Sequence, residues 1–109
     1  MTKKVLGKID FAEYGTVKDY PFMIGLQLGF KLGNSGGVGD GGKYTINISK
    51  TCRWDESDRQ EAITKKADEL YEILKDAKVN YVSQLVGKPV EVEIEDNMFK
   101  DFRILTEVL

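Results

Sequence analysis

The chain has 109 residues, enough for one domain with a modest core, and its 41% apolar and 31% charged content is that of an ordinary folded protein. A net charge of −2 argues against general nucleic-acid binding and against attachment to a membrane surface, both of which draw on a basic excess. There is no histidine, which removes the commonest general base and zinc ligand, and the single cysteine, Cys52, allows no internal disulfide. We therefore expect no catalytic residue, no metal and no cofactor, and a cytoplasmic setting. No apolar run is long enough to span a bilayer, and residues 1–4 lead into alternation where a signal peptide would turn hydrophobic.

Residues 4–11 read as a first strand with Val5, Ile9 and Phe11 on one side and a bulge at Gly7. Residues 12–15 and 18–21 have the composition of a loop, in which Pro21 holds Tyr20 extended. Residues 22–32 give the strongest signal in the chain. Phe22, Ile24, Leu26, Leu28, Phe30 and Leu32 alternate with Met23, Gly25, Gln27, Gly29 and Lys31, the pattern of a half-buried central strand. Its other face is nearly bare, because Gly25, Gly29 and Gly33 recur every four residues. Glycine weakens a strand unless something approaches the backbone closely, so this face should admit a neighbouring chain, a crossing helix or a ligand. The first of these would make the protein a homo-oligomer.

Residues 33–42 form a glycine-rich stretch with two readings, a flexible hairpin connection or a loop whose bare N–H groups, as at Gly37 and Gly39, cradle an anion. No Gly-Lys-Ser/Thr closes it and no helix follows it, so it is neither a P-loop nor a dinucleotide fingerprint. Residues 43–49 alternate as a further strand, with Tyr44, Ile46 and Ile48 facing one way, and should pair back on the central strand. A helix follows, capped by Asp55 or Ser57 and running to about Asp76, with Ile63, Ala67, Leu70, Leu74 and Ala77 on one face, broadened by Tyr71 and Ile73. Its charged remainder reads as a solvated face. A short helical turn over residues 78–86 turns Val79, Val82 and Leu85 inward, and Gly87 and Pro89 separate it from the next strand. There Val90, Val92 and Ile94 alternate with Glu91, Glu93 and Glu95. Asp96-Asn97 is a turn, and residues 99–108 are the last strand, with Phe102, Ile104 and Val108 on one face. Lys100 or Arg103 opposite the glutamate row would give favourable cross-strand pairs.

The expected fold is α+β: a single domain over residues 1–109 holding a mostly antiparallel sheet of about five strands in the order β-β-β-α-β-β, with one amphipathic helix on one face.

Asp76-Ala77-Lys78-Val79, the run from Leu85 to Val92 and the closing Arg103-Ile104-Leu105-Thr106-Glu107-Val108-Leu109, with Gly37-Val38-Gly39-Asp40 matching in position, resemble a family of small proteins encoded by tailed bacteriophages and prophages. The resemblance covers about half the chain and is clearest after residue 76. It departs around the glycine stretch, where this chain has Lys43 and Tyr44 in place of tryptophan. It carries no activity with it. What it implies is an accessory protein in the cytoplasm of an infected bacterium, acting by binding and blocking a component of the host.

Two binding constellations stand out. Trp54, flanked by Arg53 and Arg59, reads either as a staple on the first helical turn or as a stacking platform for a base. With Arg103, Tyr44, Lys43, Gly37 and Gly39 it would hold a small nucleotide ligand, so that the protein sequesters a host immune signal without chemistry. Alternatively Glu91, Glu93, Glu95 and Asp96 present an acidic surface that blocks a basic groove on a host protein, such as a defence nuclease or another host enzyme. The same row could also be the wet face of an edge hairpin. Cys52, beside Lys50 and Arg53, reads as an activated thiol or as a small packed hydrophobe. A minor virion or assembly protein is the third functional expectation.

Overall fold

The computed structural model describes residues 2–33, 36–49 and 55–108. The chain opens with a long hairpin, strand β1 (Thr2–Val17) followed by β2 (Tyr20–Lys31), joined at Lys18-Asp19. Residues 12–15, whose composition suggested a loop, therefore continue the first strand to Val17, and Tyr20 and Pro21 of the second expected loop open β2. The misleading feature is a bulge between Ile9 and Phe11. The extra residue flips the side-chain phase, so Ile9 and Ala12 face the core while Phe11 turns outward and is 44% exposed. Gly7 is not the bulge; it pairs in register with Val90, and a Cβ there would meet the carbonyl of Lys31 and the side chain of Leu32.

β1 also bridges two half-sheets. Its residues 8–17 pair with β2, and its residues 2–8 pair antiparallel with β5 (Pro89–Glu95). With β3 (Gly37–Gly39), β4 (Thr45–Asn47) and β6 (Met98–Ile104), the sheet has six strands in the spatial order β3-β2-β1-β5-β6, and β4 also pairs with β2. The middle of the sheet is thus β1, not the strand of residues 22–32. The fold is α+β, with an antiparallel sheet and one long helix in the order β-β-β-β-α-β-β. The added strand is β3, inside the glycine-rich stretch, where Gly37 and Gly39 pair with Lys31 and Gly29.

The apolar stripe of residues 22–32 forms the core from Leu26 to Leu32, with Leu26, Leu28 and Phe30 all at or below 3% exposure. Phe22, at its solvent end, is 45% exposed. Ile9, Leu85, Val90 and Val92 join this core, and Phe30 lies against Phe99 and Phe102 at ring-centroid distances of 5.3 and 4.9 Å. Phe99 and Phe102 share a face because the β5–β6 register shifts between Glu93 and Ile94. The hairpin turn is Asp96-Asn97, both with positive φ, as a two-residue turn of this hand requires. β6 ends at Ile104, and residues 106–108 form a 3-10 turn with Val108 exposed, so the expected strand to Val108 is too long.

Helix α1 (Glu56–Ala77) is capped by Asp55, whose carboxylate accepts the N–H of Asp58. It closes on Lys78 in the left-handed conformation, with the N–H groups of Lys78 and Val79 returning to the Leu74 carbonyl. Only Ala77 of the helix is fully buried; Ile63, Leu70, Ile73 and Leu74 are half-buried, and Ala67, expected on the inner stripe, is exposed. The helix is therefore seated by its C-terminal end and stands off the sheet along part of its length. Among the described residues, no helix is long and apolar enough to cross a membrane.

Candidate functional site

The standoff creates a groove of about 450 Å³ between α1, the start of β4 and β6. Its floor is apolar, from Tyr44, Ile73, Phe102 and Ile104, and its walls are charged. Tyr44 reaches the groove through a backbone crossing. The Tyr44 carbonyl accepts the N–H of Leu26 at 3.3 Å, directly over Gly25, where a Cβ would collide with that carbonyl. The glycine face of β2 is thus filled by the chain itself. At Gly25 it admits Tyr44 and Thr45, and at Gly29 it admits Asp10 and Phe11.

The turn before Tyr44 is held by Asp40, which is 8% exposed. Its two carboxylate oxygens accept the N–H groups of Leu28 at 2.9 Å and Gly42 at 3.0 Å. The N–H groups of the glycine-rich stretch are in part committed to these bonds and to the β3 ladder, which leaves little of the cradle that the sequence suggested. From the turn, Lys43 extends to Asp101 at 3.0 Å and to the Lys100 carbonyl at 3.2 Å, tying β4 to β6. Lys66 of α1 donates to the Lys43 carbonyl at 2.9 Å and pairs with Glu69 at 3.4 Å, which fixes the helix over the groove.

Five carboxylates line the walls, Asp68, Glu69, Glu72, Asp76 and Asp101, against three cations, Lys43, Lys65 and Arg103. Two of the cations are already engaged. Lys43 pairs with Asp101, and Arg103 donates to Glu91 and to both oxygens of Glu107 at 3.2–3.3 Å. Those bonds, chiefly the Glu107 one, raise the Arg103 pKa further and hold the Glu107 carboxyl below its ordinary value. On the helix wall, Asp68, Glu72 and Asp76 make no ion pair among the described residues. Burial, reinforced by Asp101, Glu69 and Asp40, pushes the Tyr44 phenol well above the tyrosine range, so it enters the groove as a neutral hydroxyl.

Of the residues singled out in the sequence, Lys43, Tyr44 and Arg103 meet in this groove, whereas Gly37 and Gly39 sit in edge strand β3 and are not among its lining residues. Arg53, Trp54 and Cys52 lie outside the described residues. Arg59 binds Glu56 at 3.1 Å and the Ile48 carbonyl at 3.4 Å, anchoring the first helical turn to the end of β4. The row of Glu91, Glu93 and Glu95 lies on the inner strand of the edge hairpin β5–β6, between β1 and β6. Glu91 pairs with Arg103 at 3.2 Å and Glu95 with Lys100 at 3.7 Å, Glu93 stands opposite Lys4, and Asp96 is in the turn. Sequence reading missed the helix wall. Its signal was Asp68, Glu72 and Asp76 at i, i+4 and i+8, a repeated like-charge spacing that weakens a helix.

Among the described residues, no group of three or more metal-binding side chains is placed to hold an ion. Comparison with protein-family models, curated proteins and solved structures finds no match.

Proposed function

We propose that the chain is a binding protein that acts without chemistry and takes a basic segment of a host protein into the groove between α1 and β6. The observation that carries this reading is the ladder of Asp68, Glu72 and Asp76 standing unpaired over an apolar floor of Tyr44, Ile73 and Phe102. Like charges one turn apart cost helix stability, and that cost is offset when a cationic partner arrives. The floor would accept the aliphatic stem or ring of the same segment, and the lysine or arginine head would meet the wall. In the setting implied by the phage resemblance, the segment belongs to a host enzyme whose basic groove is blocked. The acidic surface is then the helix wall, while on β5 Glu91 and Glu95 are already paired with Arg103 and Lys100.

Nucleotide sequestration draws support from the meeting of Lys43, Tyr44 and Arg103. It would bring phosphates to a wall of five carboxylates, with two of the three cations already paired.

Fluorescence anisotropy with a labelled hexapeptide of alternating arginine and tryptophan tests the proposal, with ATP as the comparison ligand. The expected result is peptide binding that weakens at least tenfold between 50 and 300 mM salt, on the order expected for exposed charges, and is lost in Glu72→Lys/Asp76→Lys. Peptide binding indifferent to that variant, or binding of ATP in preference to the peptide, would overturn it.

A further inference from the structure

A second surface lies where β2 stops short of β1. β2 ends with Lys31 opposite Lys8, while β1 continues back to Thr2 with β5 on one side and no strand on the other among the described residues. The backbone orientation follows from Ile9, which bonds toward the β5 side, its N–H to the Lys88 carbonyl and its carbonyl to the Gly87 N–H. Alternation then turns the backbone groups of Val5 and Gly7 to β5 and those of Thr2, Lys4 and Leu6 to the open side. A notch of about 390 Å³ lined by Leu6, Gly7, Lys8, Lys31 and Gly33 marks this place.

Two side-chain features make the notch more than an unfinished edge. Lys8 and Lys31 are register partners, both exposed, and neither makes an ion pair among the described residues. Like charges directly opposite destabilise a strand pair. Leu6, beside them, is 63% exposed. The strand that already covers the other side of the same residues shows what complements them. β5 reads Pro-Val-Glu-Val-Glu-Ile-Glu, with its glutamates opposite Thr2, Lys4 and Leu6 and its apolar residues inward.

We infer that the open edge of β1 at Thr2–Leu6 is a docking site for an extended acidic segment of another protein, which adds as an antiparallel strand and places its carboxylates at Lys8 and Lys31. Backbone bonds to Thr2, Lys4 and Leu6 supply affinity, and alternation of acidic and β-branched residues supplies selectivity. A second copy of this chain offers the same lysine-bearing edge and is repelled by it.

The test is a nuclear magnetic resonance titration of the full chain with an acetylated, amidated peptide of the β5 sequence, against a control in which its glutamates are replaced by lysine. Binding of the acidic peptide alone, with amide exchange at Thr2, Lys4 and Leu6 slowed at least tenfold, is the expected outcome. Lys8→Glu/Lys31→Glu should weaken binding at least tenfold, and Lys31→Gln, at an exposed strand end, should weaken it in the same direction. Absence of binding at millimolar peptide would mean that the lysines only guard the edge, and would sink the proposal. So would equal binding of the control, indifference to both variants, or protection changes centred on β6, which would mean that the peptide replaces β5.

Discussion

The carboxylate of Asp40 accepts the backbone N–H of Leu28 at 2.9 Å in a buried setting, so a single side chain in the glycine-rich stretch completes the hydrogen bonding of the core strand β2. The same carboxylate closes the turn at Gly42, which delivers Lys43 and Tyr44 to the groove. Asp40→Ala leaves a buried donor unpaired and should destabilise the protein by about 1.5–3 kcal/mol, the range for a hydrogen bond to a charged group. Urea unfolding measures the loss, and Asp40→Asn, which keeps an acceptor, should recover part of it.

Gly25 makes a narrower demand. Its φ of +150 lies where side chains are rarely found, and a Cβ would strike the Tyr44 carbonyl. Gly25→Ala should cost about 2–4 kcal/mol, more than the ordinary effect of an alanine where glycine is required. It should also lift β4 from β2, visible as faster amide exchange at Leu26 and Thr45 than at Val90 or Val92.

Tyr44 should titrate late. Burial raises its pKa, so the folded state holds the phenolic proton above about pH 10 where the unfolded chain releases it. The stability linked to this group is complete below that pH and declines as pH rises beyond it. Ultraviolet difference titration should show a phenol that ionises only with alkaline unfolding, and Tyr44→Phe should remove that delayed step.

The Arg103–Glu107 contact gives the opposite sign. The Glu107 pKa is lowered by its hydrogen bonds to Arg103, so the contribution is present above the ordinary glutamate value and fades as pH falls through the lowered one. Carboxyl-carbon resonance should place the Glu107 titration below the ordinary glutamate value, and Arg103→Gln should return it toward that value. Because both groups are exposed, the thermal midpoint near neutral pH should barely move.

Much of the sheet could be read from the sequence because alternation and turn chemistry agreed. Val90, Val92 and Ile94, the Asp96-Asn97 turn and the Leu26–Leu32 stripe all lie as their spacing implies. Where the phase of side chains breaks, the reading failed. The bulge after Ile9 disguised the second half of β1, and Gly37-Val38-Gly39 has too few side chains to show a strand period. The helix was legible, but its inner face was drawn too wide, because Ala67 says nothing about how far a helix stands from its sheet. For the site, Lys43, Tyr44 and Arg103 were chosen on residue chemistry alone. That β6 curls round to meet the acidic side of α1 is a long-range relationship that no local pattern encodes.

The register that joins Thr2 to Glu95 has a bearing on how the molecule is made. On the ribosome, β1 and β2 emerge together and can close their hairpin at once, but residues 2–8 must wait until residues 89–95 have been synthesised before β5 appears beside them. Ordering so distant a pairing late is entropically slow. Throughout that interval the waiting segment is kept apart from other nascent chains by Lys3, Lys4 and Lys8.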